Sequence, residues 1–268
     1  MVGSLGEKLG EGAYADVHVW APGQVVKLFK TGFPRRHAWW EARMTRAVSA
    51  AGAPAPKVFD EVTLQGRFGI VLERLDGPTL LQLSRSGAMR HEETGAILAR
   101  LARSVHQTAA PPDVLTLSDS MAGGLRLSDS ALPEEIATGI LALIGRLTPG
   151  DRLCHGDLHP DNVIMTAEGP RLIDWGGATR APPWLDLACC HVILTELAVE
   201  TADDPERPRT VNAATQAEYA GLAGMSPAAL AAAVAPYLAI MRARALLGPA
   251  GSPAVRVRLL QRIEAALR

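Results

Sequence analysis

Two polar loops on either side of a short hairpin constrain this chain more than any other feature. The first is Leu153-Cys-His-Gly-Asp-Leu-His-Pro-Asp-Asn162 and the second is Leu172-Ile-Asp-Trp-Gly176. Between them, the apolar runs Asn162–Met165 and Arg171–Ile173 flank Glu168-Gly169-Pro170, which predicts a small antiparallel pair turning at those three residues. One Asp-rich loop alone is often a solvated turn. Two of them spaced around a hairpin are not.

The side chains in these loops suit phosphoryl transfer, where a protein supplies mainly positioning and countercharge. One carboxylate must accept or orient the hydroxyl proton of the nucleophile. A second carboxylate and an amide oxygen must hold magnesium against the phosphates. Magnesium favours hard oxygen ligands and keeps several waters, so two protein ligands plus the nucleotide suffice. Asp157, Asn162 and Asp174 supply these three groups, and the step from Asp157 to Asn162 matches the catalytic-loop spacing of kinases. Asp174-Trp-Gly stands where kinases carry Asp-Phe-Gly. A competing reading takes His155, Asp157, His159 and Asp161 as zinc ligands. Pro160 opposes it, because it interrupts the helix that would put both histidines on one face.

Upstream, Gly3–Lys8, Ala15–Trp20 and Gln24–Lys30 predict three short strands separated by glycine-bearing turns. Leu9-Gly-Glu-Gly-Ala-Tyr-Ala-Asp-Val17 fits a glycine-rich strand-turn-strand, in which Gly10 and Gly12 would let backbone N–H groups approach phosphates without a Cβ in the way. A bare Gly-x-Gly is common in hairpins, so this segment gains its meaning from its order in the chain. Lys27 and Lys30 are three apart and point to opposite faces of a strand; Lys27 sits in the motif and Lys30 reads as solvated. Phe33–Ala51 then takes a helical period, with Pro34 in its first turn and Trp40, Met44, Ala47 and Val48 recurring before Gly52. Lys57–Leu64 and Phe68–Glu73 read as a hairpin turning at Gln65-Gly66. Beyond Asp76-Gly77-Pro78, the one plausible hinge, helical periodicity takes over in Glu92–His106, in Leu132–Leu147 and from Trp184 onward, with breaks around Asp203–Pro208 and Gly248–Pro253.

The runs HGDLHPDN and IDWG, with Pro183-Trp-Leu-Asp-Leu-Ala188, resemble the aminoglycoside phosphotransferase and choline kinase superfamily, and the motifs keep their order from Gly10 to Asp186. The resemblance implies an α+β, protein-kinase-like fold of two lobes. Residues 1–75 would form a nucleotide-binding lobe, a five-stranded antiparallel sheet with one helix. Residues 76–268 would form a mostly helical lobe carrying the catalytic loop and the acceptor site. ATP and Mg2+ are the implied cofactors, and the implied reaction moves the γ-phosphate to a hydroxyl of a small molecule, whether antibiotic, sugar or amino alcohol. Asp157 is then the catalytic base, with Asn162 and Asp174 as metal ligands. Lys27 pairs the α- and β-phosphates and Glu41 is its partner, with Glu7 and Glu11 as competitors. The backbones of Glu73 and Leu75 face the adenine edge, Asp186 braces the catalytic loop through its backbone, and His155 and His106 are structural. Trp175 and the His155-Gly pair depart from protein kinases and favour the small-molecule branch. The short span from Gly176 to Trp184, without Ala-Pro-Glu, opposes a kinase acting on polypeptides. A catalytically silent nucleotide-binding module and transfer of AMP stay open at this point.

Composition bounds the rest. A length of 268 residues suits one domain of two lobes, and 48% hydrophobic residues provide for a sizeable core. A net charge of −1 gives no global basic field for nucleic acid or an anionic membrane. No basic-then-apolar leader opens the chain, and Pro227–Met241, which contains Pro236, reads as too short to span a bilayer. Three cysteines without metal-like spacing read as reduced thiols of a cytoplasmic protein. From Ala181 onward eight acids are matched by eight arginines, and four of the acids cluster from Glu200 to Glu206, where they could line a mouth or form a solvated loop; this neither excludes a polycationic acceptor nor points to one.

Overall fold

The computed structural model describes residues 5–127, 132–248 and 251–268. Five strands form an antiparallel sheet in the order β1-β2-β3-β5-β4: Lys8–Glu11 (β1), Ala15–Ala21 (β2), Gln24–Phe29 (β3), Val58–Leu64 (β4) and Arg67–Glu73 (β5). The central strand β3 is covered on both faces, so Val25, Val26, Leu28 and Phe29 are all buried and Lys27 is the one charge in an apolar run. The hairpin between β4 and β5 turns at Gln65-Gly66, both with positive φ. The first strand departs from expectation. A register shift between Lys8 and Gly10 moves the regular ladder C-terminal to Gly3–Lys8, which lies partly outside the described residues. Gly6 and Glu7 still pair with Val19, while Gly10 sits within β1 and the turn follows at Gly12, whose N–H donates to the Ala15 carbonyl at 2.8 Å.

Helix α1, Arg35–Ala50, joins β3 to β4. It begins later than Phe33 because Pro34 is extended (ψ 123°) and occupies the N-cap position. Ala38 and Ala42 pack with Ala15, Phe29, Phe68 and Ile70 in a small core beneath the sheet. Two turns further on, Met44 and Val48 belong to the main core, with Leu172 and Trp175. One helix therefore welds the sheet to the rest of the molecule.

The remainder is mostly helical: α2 (Leu80–Arg85), α3 (His91–Gln107), α4 (Leu117–Leu127), α5 (Glu134–Arg146), α6 (Trp184–Val192), α7 (Glu206–Leu222), α8 (Pro227–Leu246) and α9 (Pro253–Leu267). Thr79 and Gln82 close a reciprocal capping box on α2. Two small strand pairs lie among the helices. The Arg152–Cys154 strand (β6) pairs with Thr179–Ala181 (β9), and Val163–Thr166 (β7) with Gly169–Leu172 (β8). Residues 76–78 lie against β7: the Met165 N–H donates to the Pro78 carbonyl at 3.0 Å. A Cβ on Gly77, at φ 149°, would come within 2.0 Å of the Met165 carbonyl oxygen, so only glycine fits there.

Helix α8 runs five residues past Met241, so its 20 residues are long and apolar enough to cross a membrane by length and composition alone. The expectation that the stretch is too short is corrected by this extension. Its Leu230, Val234, Tyr237, Ile240, Met241 and Leu246 are buried within the protein, packed chiefly against α6 and α9.

Candidate active site

The catalytic loop is built on one buried carboxylate. Asp186, in the first turn of α6 and fully enclosed, accepts from the N–H groups of His155 (2.8 Å) and Gly156 (2.7 Å) and bonds His106 Nε2 at 3.0 Å. His106 is held in turn by the Tyr219 hydroxyl at 2.8 Å. Burial works to raise the Asp186 pKa, but these donors overcome it and hold the group below the usual carboxylate range. Gly156 has φ 76°, and a Cβ there would meet the Gly177 carbonyl oxygen at 2.1 Å. The loop is thus pressed against the turn that follows Asp174.

His155 uses both ring nitrogens within the protein. Nε2–H donates to the Ile173 carbonyl at 2.9 Å, and Nδ1 accepts the Asp157 N–H at 3.2 Å. Its ring meets Trp175 edge-on at 4.6 Å, and Trp175 Nε1–H donates to the Leu172 carbonyl at 2.9 Å. The geometry requires a neutral imidazole, and burial lowers its pKa in the same sense. The four-residue zinc reading fails here, since neither nitrogen of His155 is available and Asp161 is bonded to Thr79 Oγ1 at 3.1 Å. A different buried trio, His106, Cys154 and Asp186, comes close enough to suggest a metal. Its members are engaged with one another's neighbours, and burial first, then Asp186, raise the Cys154 thiol well above its ordinary pKa.

Asp157 is half-exposed at the surface of this scaffold. The Asn162 side-chain amide donates to its carbonyl (2.9 Å) and its Oδ2 (3.0 Å), which leaves the Asn162 side-chain oxygen without a protein partner among the described residues. His159 Nε2 lies 3.6 Å from Asp157 Oδ2. Burial opposes ionisation of Asp157, but His159, His155 and Asn162 prevail and its pKa is lowered. His159 shifts the other way: burial lowers its pKa, and Asp157 more than compensates. The Ile173 N–H donates to the Asn162 backbone carbonyl at 2.9 Å, so the two loops are joined at the residue before Asp174. Asp174 itself has φ 65° and ψ 57°, a left-handed conformation that Asp tolerates better than most residues but still an unfavourable one.

Across the cleft, Lys27 Nζ contacts Glu41 Oε1 at 2.8 Å and Asp174 Oδ1. Neither Glu7 nor Glu11 pairs with Lys27 among the described residues; Glu11 pairs with Lys8 and Lys30 on the exposed side. Burial tends to lower the Lys27 pKa, yet the two carboxylates hold it above the ordinary lysine value. Burial raises Glu41, assisted by Asp174, while Lys27 keeps Asp174 lowered against the opposing effect of desolvation. Trp40 Nε1–H donates to the Gly176 carbonyl at 3.2 Å, so α1 positions both Glu41 and the turn after Asp174.

Two cavities meet at Lys27, Glu41 and Asp174. The first, of about 430 Å³, has apolar walls from Val17, Val25, Leu72, Ile164 and Ile173. Gly10, Glu73 and Leu75 also line it, and Gly12 does not. The Glu73 side chain faces structural duty, accepting the Lys57 N–H at 3.0 Å and pairing with Arg171 at 3.2 Å. The second cavity, of about 530 Å³, lies between the catalytic loop and α8 and includes Asp157. Arg244 lines it too. Nothing in the local sequence singles out that arginine, because it is brought to the loop from α8 by packing alone.

An antiparallel sheet over a helical lobe, with a lysine–carboxylate network opposite an Asp/Asn loop, defines a protein-kinase-like fold. The chain belongs to the phosphotransferase enzyme family, whose model matches residues 7–228. Streptomycin 6-kinase of Streptomyces griseus is 31% identical over 114 residues, a match that spans 38% of this chain and only 35% of that protein. A choline/ethanolamine kinase family protein from Mesorhizobium loti superposes with a TM-score of 0.58 at 20% identity, covering 99% of this chain and 88% of the other. A type VIII aminoglycoside-3'-phosphotransferase gives a TM-score of 0.57 at 25% identity, covering 87% and 90%. A Streptomyces rimosus aminoglycoside phosphotransferase of the same fold has been solved with ADP and streptomycin (TM-score 0.52, 20% identity, covering 83% and 90%).

Proposed function

We propose that this chain is a Mg-ATP-dependent small-molecule kinase that transfers the γ-phosphate of ATP to an alcohol. The observation that carries this reading is the meeting of the two cavities at Lys27, Glu41 and Asp174, with Asp157 on the far side. The apolar walls of the first cavity suit an adenine ring, with the backbone of Glu73–Leu75 along its edge and Gly10 near the phosphates. Gly10 has no positive φ and a Cβ there would meet open space, so a glycine is called for by an approaching ligand rather than by the fold. Gly12 has less support, lying outside the cavity lining. We assign the nucleotide-binding lobe to residues 1–75 and the catalytic and acceptor lobe to 76–268, on the strength of the fixed Gly77 turn. The buried, reduced thiols suit a cytoplasmic setting.

The donor set at the junction fits magnesium: a carboxylate on Asp174 and an amide oxygen on Asn162, with both Asn162 N–H groups already committed. Magnesium held there would draw the phosphate oxygens together and offset the charge that develops on them. Lys27 binds the phosphates as a fixed cation, and Glu41 keeps it in place. Asp157 orients the acceptor hydroxyl. As its oxygen bonds to the γ-phosphorus, the bond from phosphorus to the ADP oxygen breaks and the proton passes to Asp157. A carboxylate whose pKa is lowered is fully ionised at neutral pH yet weakly basic, so it accepts that proton late in the transfer.

The test is acceptor-stimulated ADP release from Mg-ATP, run beside Asp157→Ala. Loss of the proton acceptor is expected to lower turnover by ~10²–10⁴ while ATP affinity stays within about twofold. Equal turnover in the two proteins would end this assignment.

A further inference from the structure

Beyond the groups assigned to phosphoryl transfer, the second cavity offers a polycation no carboxylate. Of its ionised groups, Lys27, Glu41, Asp157 and Asp174 are committed to the transfer machinery on the reading above. What remains of its lining is largely apolar, with Phe29, Phe33, Val192, Ile193, Leu197 and Met241, and one further charge, Arg244. Arg244 has no carboxylate within 4.0 Å among the described residues. Its Nη2–H donates to the Gly177 carbonyl at 2.9 Å and Nη1 reaches Thr179 Oγ1 only at 3.5 Å. A guanidinium carries five N–H donors, so most of this fork has no protein acceptor among the described residues.

The acids from Asp186 onward all lie outside this lining. Glu196 is buried between Arg242 (2.8 Å) and Arg262 (2.9 Å). Glu200 pairs with Arg258, Asp203 with Arg85, Glu206 with Arg209 and Glu218 with Arg100. None of these carboxylates lines the second cavity. A cation bound beside Arg244, away from Asp157 and Asp174, would therefore face a guanidinium and lose its hydration against aliphatic walls, which costs several kcal/mol unless a counter-ion is supplied.

We propose that the acceptor of this enzyme is an alcohol with an apolar body and an oxygen-bearing, non-cationic group that Arg244 binds. The proposal rests on the kinase reading and narrows it. An apolar body fills the space between Phe33 and Ile193, its hydroxyl lies at Asp157, and its carboxylate, carbonyl or ether oxygen takes the free N–H groups of Arg244. The cavity volume of about 530 Å³ lies in the range of drug-sized ligand sites. Arg244 then acts as a specificity residue twice over, attracting oxygen and repelling ammonium.

The experiment uses three alcohols with one body: 4-(hydroxymethyl)benzoate, 4-(hydroxymethyl)benzamide and 4-(hydroxymethyl)benzylamine, with streptomycin as the polycation. Each is titrated into the full-length protein with saturating Mg-ATP, and any change in the rate of ADP formation, up or down from the rate with water alone, reports occupancy. The benzoate and benzamide are expected to act at concentrations at least tenfold below the benzylamine and streptomycin. Arg244→Gln should erase the advantage of the benzoate over the benzylamine, and Arg244→Lys should retain it in part, with the ATP dissociation constant as the control for folding. Streptomycin or the benzylamine acting at the lowest concentration, an unchanged order in Arg244→Gln, or no response to any of the four would each overturn the proposal. Failure of the kinase reading itself looks different: no ATP binding, or ADP formation that Asp157→Ala leaves intact.

Discussion

The two sides of the active cleft are made in opposite ways. The catalytic side is a closed circuit of polar groups. Asp186 holds two backbone N–H groups and His106, His155 holds Ile173 and the Asp157 N–H, and Asn162 holds Asp157. The acceptor side has apolar walls and one arginine with spare donors. The circuit fixes atoms that phosphoryl transfer needs in place. The apolar wall fixes only shape and the sign of charge, which is what distinguishes one acceptor from another. On the proposed function, the chemistry of the reaction and the choice of substrate would be carried by different kinds of interaction, and changes on each side should fail differently.

The largest effect is expected from breaking the circuit at its centre. Asp186→Ala would leave the His155 and Gly156 N–H groups and His106 without their shared acceptor in a site closed to water. Removing one partner from such a buried charged network typically costs ~3–5 kcal/mol. Denaturant unfolding of the variant measures this. A loss below about 1 kcal/mol would mean that the carboxylate is a passenger and that β6 and β9 hold the loop by themselves.

A smaller, reversible break comes from pH. His155 is neutral by geometry, and its pKa is lowered by burial. Its contribution to stability is therefore complete above the unfolded histidine value of about 6.5. It is lost as pH falls from there toward the lowered folded value, because the unfolded chain takes up the proton first. His159 has the reverse sign: its pKa is raised, so its contribution is complete below about 6.5 and is lost as pH rises through the folded value. Each group bends the stability profile by at most about 1.4 kcal/mol per pH unit. The unfolding free energy should therefore fall on both sides of the near-neutral range. His159→Gln should remove the mildly alkaline decline and leave the acidic one, and an unchanged alkaline limb would show that the His159–Asp157 contact is not formed in solution.

The same contrast governs what the sequence could disclose. The five strands, the helix after the third and the helical second lobe were legible because each carries its own period and its own turn residues. The contact of Lys27 with Glu41 and Asp174 was legible only as an expectation from motif order, since it joins residues 14 and 147 positions apart. The β1 strand was placed too early, because the bulge between Lys8 and Gly10 has no signature beyond glycines that also suit a turn. The β6–β9 pair was not read at all. Each of these strands has three residues, too few for alternation to register. Arg244 was invisible for a further reason: it lies in the last turn of an alanine-rich helix with little amphipathic bias, and only the packing of α8 on α6 brings it to Gly177. Local pattern fixes what a segment becomes, whereas the acceptor wall is assembled from Tyr14, Phe33, Ile193 and Arg244, which no local pattern connects.

The smallest effect sharpens the comparison most. Four acids, Glu200, Asp203, Asp204 and Glu206, cluster in the acceptor half, and in sequence they could line a mouth for a cationic substrate or form a solvated loop. In the fold three of the four are paired with an arginine, Glu200 with Arg258 at 2.5 Å, Asp203 with Arg85 at 3.1 Å and Glu206 with Arg209 at 2.5 Å, while Asp204 accepts the Glu206 N–H at 3.0 Å. These are exposed pairs, and such pairs contribute about 0–1 kcal/mol and are screened by salt. The combined variant Glu200→Gln, Asp203→Asn, Glu206→Gln should therefore lose at most about 3 kcal/mol of stability, less at high salt. Its order of preference among cationic, neutral and anionic alcohols should not change. If the variant instead lost affinity for a cationic alcohol by tenfold or more, the negative charge of the second lobe would be acting at the cavity over a distance. The apolar wall and Arg244 would then no longer account for acceptor choice.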